Sequence, residues 1–246
     1  MQLLLVNIGE LATLSAGDPN KPLSGDSMLN RDQLVHNPGL GIFIEEDKII
    51  RIDDSNKLLD EYSGTDVEII DVNHKAIVPG FVDSHTHLVW AGDRANEINL
   101  RRKGSSYQDI ANAGGGIQKT VKSTRRASKD VLVDKGLDIC KTALKFGTTT
   151  LEGKSGYGLT TESEIKLLQA IRRIDELAPQ LILSTWLGAH DFPQDTNKSE
   201  YIESLISEQL PLVVDNDLAN WVDVFCEPGW YDLEQTETII QASHEL

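Results

Sequence analysis

The segment from Pro79 to His87 decides the fold, and it reads Pro-Gly-Phe-Val-Asp-Ser-His-Thr-His. Its apolar start predicts a buried β-strand, in which side chains two residues apart lie on the same face. His85 and His87 therefore point the same way from the carboxyl end of this strand. Two neutral imidazoles on one face suit zinc or iron. An H-x-H pair alone is a weak signal, because two ordinary histidines at a strand end give the same pattern.

Strands and helices alternate after this segment. The sequence predicts strands at 81–88, 148–152, 181–187 and 221–226, and helices at 128–146, 161–178, 199–209 and from 232 onward. This alternation predicts an α/β fold with a parallel sheet. The units have the spacing of half a (β/α)₈ TIM barrel, which needs about 250 residues in all. A doubly wound sheet is the other option, but Gly114-Gly115-Gly116 lacks the spacing of its phosphate loop, and we interpret it as a turn near the site.

The first 79 residues show a different pattern. Short alternating segments predict strands at 2–7, 41–46, 48–52, 68–71 and 76–78, which together make a small antiparallel sheet. The polar stretch 16–38 is expected to be a loop. The sequence therefore predicts two domains, residues 1–79 and residues 80–246.

Composition restricts the class of protein. Lys and Arg number 23 and Asp and Glu 39, so the formal net charge is −16. A field of this sign repels nucleic acid and anionic lipid. No apolar run is long enough to span a membrane, and the short apolar N-terminus fits a first strand better than a signal peptide. Cys140 and Cys226 are expected to be buried free thiols in a reducing cytoplasm, without a metal or disulfide role.

The segment from Val78 to His87 resembles the first barrel strand of the amidohydrolase superfamily. Further motifs narrow the resemblance to the imidazolonepropionase family, in matching order and spacing. They are His87-Leu-Val-Trp-Ala-Gly-Asp-Arg94, Glu152-Gly-Lys-Ser-Gly-Tyr-Gly-Leu159 and Leu187-Gly-Ala-His190, with Tyr107 and residues 113–117 also in agreement. Lys-Ser-Gly-Tyr-Gly-Leu after a barrel strand is far more specific than H-x-H, and the resemblance covers essentially the whole chain.

This resemblance implies a (β/α)₈ amidohydrolase barrel, of which about the first half is present. It also implies a small β-sandwich built from both ends of a longer chain, with residues 1–79 as its N-terminal part. His85 and His87 would hold one divalent metal, zinc or iron. The full-length protein would be a homodimer.

The implied substrate is 4-imidazolone-5-propanoate, which has a ring amide and a carboxylate tail. Arg94 offers a fork of donors that matches a carboxylate, or is a surface arginine. Tyr157 lies between glycines that allow close approach to a ligand, or is a half-buried core tyrosine. His190 ends an apolar strand, where a polar side chain costs free energy unless it is paired or used, so it is either a functional residue or a core histidine with a satisfied hydrogen bond. The resemblance makes His190 a catalytic and substrate-binding residue that contacts the ring and polarises its carbonyl.

The implied reaction is attack of a metal-activated water on the ring carbonyl, which gives N-formimidoyl-L-glutamate. In this family a third metal histidine, a metal aspartate and a catalytic glutamate come from later strands, beyond Leu246. We therefore expect the chain alone to be inactive. Two alternatives remain at this point: another amidohydrolase, such as an aromatic-base deaminase or a cyclic-amide hydrolase, and a non-catalytic truncated fragment.

Overall fold

The computed structural model describes residues 1–18, 21–106, 109–110, 113–194 and 196–246. Tyr107, which agreed with the resemblance, lies outside the described residues. The chain divides into two compact units, Met1–Pro79 and Gly80–Leu246. Among the described residues, no helix is both long enough and apolar enough to cross a membrane.

The first unit contains a four-stranded sheet. Its strands are β1 (Gln2–Val6), β4 (Leu40–Glu45), β5 (Lys48–Asp54) and β6 (Glu68–Asp71), in the order β5-β4-β1-β6. The predicted antiparallel sheet is wrong in one pairing, because β1 runs parallel to β6. Apolar alternation indicates which residues face a core but not the direction of the neighbouring strand. The β-sandwich stays a prediction.

Two segments of this unit differ from the sequence prediction. An unpredicted helix, α2 (Ser55–Tyr62), begins after Asp54, whose side chain accepts from the Asn56 and Lys57 amides. Its Leu58 is buried against the sheet. The expected loop 16–38 contains a 3-10 turn (Gly25–Leu29), the single-turn α1 (Arg31–Leu34) and β3 (Val35–His36), which pairs with β2 (Leu11–Ala12). The predicted strand 76–78 is reduced to a bridge between Ile77 and Leu11.

The second unit is built on a parallel sheet. Its strands are β7 (Phe81–Thr86), β8 (Thr148–Lys154), β9 (Leu181–Ala189) and β10 (Trp221–Val224), and each pairs in parallel with the next. The order β10-β9-β8-β7 follows the chain. A doubly wound sheet reverses its strand order at a switch point, whereas a barrel does not. The unit is therefore an α/β half-barrel sheet, as predicted.

Helices connect these strands. Those whose bounds lie within the described residues are α3 (Ala95–Arg102), α4 (Ile117–Arg126), α5 (Lys129–Lys145), α6 (Thr161–Leu177), α7 (Lys198–Ser204), a π-helical turn (Leu205–Gln209) and α8 (Leu210–Asp215), and α9 (Leu233–His244) follows the last strand. The predicted start of α5 is confirmed, because the Ser128 side chain accepts from the Val131 amide. Gly147, with φ of 90°, follows its end.

The core of this unit lies between the sheet and its helices. Leu151, Leu168, Ile171, Ile182 and Trp186 are fully or almost fully buried there. Since Leu151 and Gly153 face α6, the alternate residues of β8 point to the opposite, inner face of the sheet.

Two expectations of burial are wrong. Strand β7 was expected to be buried, yet Phe81 is 57% and Val82 67% exposed. The reason is that β7 forms one edge of the sheet and, among the described residues, pairs with a strand on one side only. Cys226 is exposed, because it lies in the loop after β10, whereas Cys140 is buried on α5.

Candidate active site

Polar and aromatic side chains converge at the carboxyl ends of the parallel strands. The ring centroid of His87, just after β7, lies 4.6 Å from that of Tyr157 and 4.9 Å from that of His190. The His190 ring lies 5.8 Å from the Phe225 ring. The carboxyl edge of a parallel sheet is where active sites of such folds lie, so this cluster is the candidate active site.

A cavity of about 280 Å³ opens beside this cluster. Its lining side chains are Arg94, Ile117, Tyr157, His190, Phe225 and Trp230. The structure thus brings Arg94, Tyr157 and His190 to one cavity. His87 adjoins it through its ring contacts, and His85 lies farther out, exposed, with its ring centroid 6.4 Å from that of His87.

His190 is held by a hydrogen bond between its Nδ1 and the Gly156 carbonyl, 2.9 Å apart. A carbonyl oxygen only accepts, so Nδ1 carries the hydrogen and Nε2 keeps its lone pair. Burial lowers the pKa of His190, so the ring is neutral at pH 7. In this state His190 presents an acceptor, whereas polarising a carbonyl oxygen requires a donor.

His87 has the properties of a neutral imidazole ligand. Burial, reinforced by the nearby His190, His85 and Lys154, lowers its pKa to about 3. Its Nδ1 is buried and has no hydrogen-bond partner. A bare, buried ring nitrogen beside a second histidine fits part of a metal site. In the part of the chain that the structure describes, no group of three or more His, Cys, Asp or Glu is placed to hold a metal.

The loop from Ser155 to Leu159 carries Tyr157 and is held by a buried carboxylate. Glu164, on the first turn of α6, accepts from the amides of Gly156 at 2.8 Å, Gly158 at 2.6 Å and Leu159 at 2.7 Å. The sequence suggests a capping box from Thr161 to Glu164. That interpretation is wrong, because Thr160 is the N-cap and the Glu164 carboxylate binds the loop instead.

Arg125 holds the same loop from its carbonyl side. Its guanidinium donates to the Gly158 carbonyl at 2.6 Å and to the Leu159 carbonyl at 2.9 Å. Sequence reasoning missed both Glu164 and Arg125 as parts of the site. Neither residue lies in a sequence motif that indicates such a role. Arg125 contacts residues about 33 positions away in the chain, and Glu164 reaches the loop only because the chain turns back before α6.

Arg94 is held by a longer-range contact. It is the N-cap residue of α3, and its Nε lies 3.8 Å from Oε2 of Glu97. That distance is an ion pair rather than a hydrogen bond. Glu97 is buried, and its Oε1 accepts from the Gly116 amide at 2.8 Å. Glu97 thus links Arg94 to the glycine turn, which the sequence predicted to lie near the site.

Lys154 forms an ion-pair cluster on the inner face of the sheet. Its ammonium lies 2.8 Å from Oε1 of Glu152 and 2.9 Å from Oδ2 of Asp223. Thr185 donates to the same Glu152 oxygen at 2.6 Å. Burial works to lower the pKa of Lys154, but the hydrogen bonds to both carboxylates leave it raised. The cluster therefore joins β8, β9 and β10 beneath the site.

Comparison with curated proteins gives consistent relatives. The chain is 37% identical to an imidazolonepropionase of Fusobacterium nucleatum subsp. nucleatum, over 99% of this chain and 57% of that protein. It is 38% identical to an imidazolonepropionase of Symbiobacterium thermophilum, over 100% of this chain and 57% of that protein. The chain thus spans a little over half the length of the curated relatives it matches. No family model matches it.

Solved structures support the fold. A triazine hydrolase from Arthobacter aurescens aligns with a TM-score of 0.56 at 13% identity, over 99% of this chain and 50% of that one. A 5-methylcytosine deaminase from Klebsiella pneumoniae aligns with a TM-score of 0.53 at 15% identity, over 98% and 56%. An atrazine chlorohydrolase from Arthrobacter aurescens, complexed with zinc, aligns with a TM-score of 0.50 at 14% identity, over 99% and 51%.

At these identities the structural matches show the fold alone, which agrees with a partial α/β barrel. The sequence matches are more specific, because they run along essentially the whole chain at 37–38% identity. By sequence, this chain is therefore a relative of the imidazolonepropionases and corresponds to part of such a protein.

Proposed function

We propose that a protein containing this chain hydrolyses the ring amide of 4-imidazolone-5-propanoate to N-formimidoyl-L-glutamate. The observation that carries the proposal is that Arg94, Tyr157 and His190 line one cavity of about 280 Å³. A cation, a phenol and a neutral imidazole around such a space match a small planar ring with a carboxylate tail.

The carboxylate tail would bind Arg94. The guanidinium matches a carboxylate geometrically, and its partner Glu97 is 3.8 Å away rather than in hydrogen-bond contact, which leaves the guanidinium donors for a ligand. In a chain of net charge −16, this cation gives an anion a local binding position against the general field. Phe225 and Trp230 supply apolar surface for the ring.

His190 would bind a ring N–H of the substrate. With its hydrogen on Nδ1, bonded to Gly156, it offers the Nε2 lone pair as an acceptor. Tyr157, whose ring centroid lies 5.2 Å from that of His190, offers a phenol next to the same position. These two side chains orient the ring, and the carbonyl has to be polarised by other groups unless His190 becomes protonated during the reaction.

His85 and His87 would hold one divalent metal, zinc or iron, since imidazole nitrogen suits both. Such a metal would lower the pKa of a bound water to about 7 and so supply hydroxide at neutral pH. Catalytic sites usually have three protein ligands. We propose that the remaining ligands, the carboxylate that moves the proton and the second half of the barrel come from residues outside this chain, in a homodimeric protein.

The test is turnover by the protein isolated from its natural source. Hydrolysis of 4-imidazolone-5-propanoate, measured as formation of N-formimidoyl-L-glutamate, is expected and should be lost with a chelator. Guanine and cytosine are the control substrates, because a base deaminase would act on them. Neither has a carboxylate, so neither needs Arg94. Deamination without ring opening would overturn the proposal. The 246-residue chain alone is expected to show no turnover.

A further inference from the structure

We propose that Glu164 is a positioning residue of the site. Its carboxylate fixes the loop from Ser155 to Leu159 and thereby sets the orientation and tautomer of His190. The inference rests on the proposed function in one respect, namely that His190 and Tyr157 bind the substrate ring. The geometric part is independent of the substrate.

Three backbone amides of the loop donate to the Glu164 carboxylate. Oε1 accepts from the Gly158 and Leu159 amides, and Oε2 accepts from the Gly156 amide. The Ser155 side chain donates to the same carboxylate. Because Ser155 Oγ also accepts from the Leu187 amide at 3.0 Å, the carboxylate is linked to β9 as well as to the loop.

A fully buried carboxylate is costly unless donors compensate it. Glu164 has no solvent exposure, and this burial raises the pKa of its carboxyl, whereas the hydrogen bonds that it accepts from the loop act in the opposite direction. Arg125, which binds the carbonyls of that loop, supplies positive charge on the other side. Gly158 and Leu159 thus each have both their N–H and their C=O bound by one of these two side chains. The number of hydrogen bonds between one buried side chain and this five-residue loop indicates that the loop geometry is specified.

The connection to His190 passes through one residue. The Gly156 amide donates to Glu164, and the Gly156 carbonyl accepts from His190 Nδ1. Gly156 has φ of 104°, and a Cβ built there would lie 2.8 Å from His190 Nδ1 and 2.9 Å from the Leu187 carbonyl. The loop is therefore in close contact with the ring that it orients, and rotation of the peptide group that joins Gly156 to Tyr157 would remove the acceptor that keeps the hydrogen on Nδ1.

The test compares Glu164→Gln with Glu162→Gln in the full 246-residue chain. Glu162 is exposed on the same helical turn, so its variant removes the same charge without touching the loop. In Glu164→Gln, an NH₂ group replaces one of the two carboxylate oxygens. Because NH₂ is a donor, it cannot accept from the backbone amides that this oxygen binds. We expect the Gly156 or the Gly158 and Leu159 amides to exchange with solvent at least about tenfold faster. Glu162→Gln should match the parent chain.

The second readout is the ¹⁵N spectrum of the His190 ring. The parent chain and Glu162→Gln should show hydrogen on Nδ1 and a bare Nε2, whereas Glu164→Gln should show a mixture of tautomers. A merely structural role for Glu164 would lower stability without moving this spectrum. Unchanged exchange and an unchanged tautomer in Glu164→Gln would overturn the proposal.

A measurement on the parent chain alone keeps the proposal falsifiable if Glu164→Gln does not fold. Hydrogen on Nε2 of His190, or loop amides that exchange as fast as exposed ones, would overturn it; slow exchange with hydrogen on Nδ1 would support it. These readouts need no ligand. Titration with imidazole-4-propanoate separates the two proposals, because absence of binding to the natural protein counts against the proposed function and leaves the loop measurements unaffected.

Discussion

The cavity has two sides that are built differently. At the carboxyl ends of β8 and β9, Tyr157 lies on the loop from Ser155 to Leu159, whose amides and carbonyls are bound by buried Glu164 and by Arg125. His190, which follows β9, is hydrogen-bonded to the Gly156 carbonyl of this loop. After β7, Arg94 stands at the start of a short helix and has an ion pair of 3.8 Å. The first side is fixed before a ligand arrives, whereas the second leaves its cation free to adjust to one.

This difference separates two tasks. Groups that orient a reacting ring must be held within a fraction of an ångström, which a hydrogen-bonded loop provides. A cation that captures a carboxylate works over a longer distance and benefits from a partly exposed position. Substitutions on the two sides of the cavity should therefore have different consequences.

Disruption of the ion-pair cluster of Lys154, Glu152 and Asp223 should lower the free energy of unfolding more than the substitutions on either side of the cavity. Lys154→Met leaves the Glu152 and Asp223 carboxylates without their cation, and Oε2 of Glu152 already lacks a partner. We expect a loss of about 3 kcal/mol in the free energy of unfolding, the lower end for a broken buried pair, because Asp223 keeps solvent contact. Urea denaturation measures it.

Lys141→Met is the matched control, since Lys141 is 69% exposed and pairs with Asp138 at the surface. Its loss should stay below about 1 kcal/mol. Equal losses in the two variants would contradict the account of the sheet's inner face.

The cost of replacing a glycine by alanine can be compared between the two sides of the cavity. Gly156 and Gly104 both have positive φ, 104° and 89°, but a Cβ at Gly104 meets nothing within 4 Å, whereas one at Gly156 meets His190 and Leu187. Replacement by alanine should cost about 1 kcal/mol at Gly104 and about 2–3 kcal/mol at Gly156, where close contact adds to backbone strain. Thermal or urea unfolding checks the difference, and similar costs at both positions would show that the loop is not pressed against His190.

The cation on the exposed side should act on affinity and not on stability. Arg94→Gln should weaken binding of imidazole-4-propanoate about tenfold or more, the usual loss of a charge-assisted contact. Binding of 4-propylimidazole, which lacks the carboxylate, should not change. Arg101→Gln is the control, because Arg101 is exposed on the same helix and is not among the residues that line the cavity. Isothermal titration calorimetry measures the binding of both ligands to the parent protein and to the two variants. An equal effect of Arg94→Gln on both ligands would show that Arg94 does not recognise the carboxylate.

The smallest effect concerns pH. The pKa of His87 is about 3 in the folded chain and about 6.5 when unfolded. Between these values the unfolded state binds a proton that the folded state does not, so stability falls as the pH drops below 6.5. With a chelator present, the dependence of the free energy of unfolding on pH should be less steep in His87→Gln than in the parent chain. The difference in slope should be below about 1.4 kcal/mol per pH unit, which is the limit for one proton. Parallel curves for the two proteins from pH 7 to pH 5 would place His87 in solvent.

The parts of the fold that local sequence controls were predictable. Ser128 and Gly147 set the limits of α5, and alternating strands and helices after Pro79 predicted the parallel sheet. The parallel pairing of β1 with β6 was not predictable, because the relative direction of two strands depends on the path of the chain between them and not on apolar alternation. Helix α2 carried a signal that was missed, the N-cap Asp54 followed by Leu58 at helical spacing.

The candidate site divides in the same way. His85, His87, Arg94, Tyr157 and His190 were named from sequence, and the last three line one cavity. Glu97, Arg125 and Glu164 were missed, because each acts through backbone groups of a loop that only the folded chain brings within reach. The tautomer of His190 depends on one carbonyl, Gly156, and no sequence pattern specifies it.

The most direct test of the central claim is a crystal structure of the natural protein with imidazole-4-propanoate bound. The account predicts that the carboxylate contacts Arg94 and that a ring nitrogen bearing hydrogen donates to Nε2 of His190, beside Tyr157. A ligand that binds elsewhere, or in this cavity with its carboxylate turned away from Arg94, would contradict it.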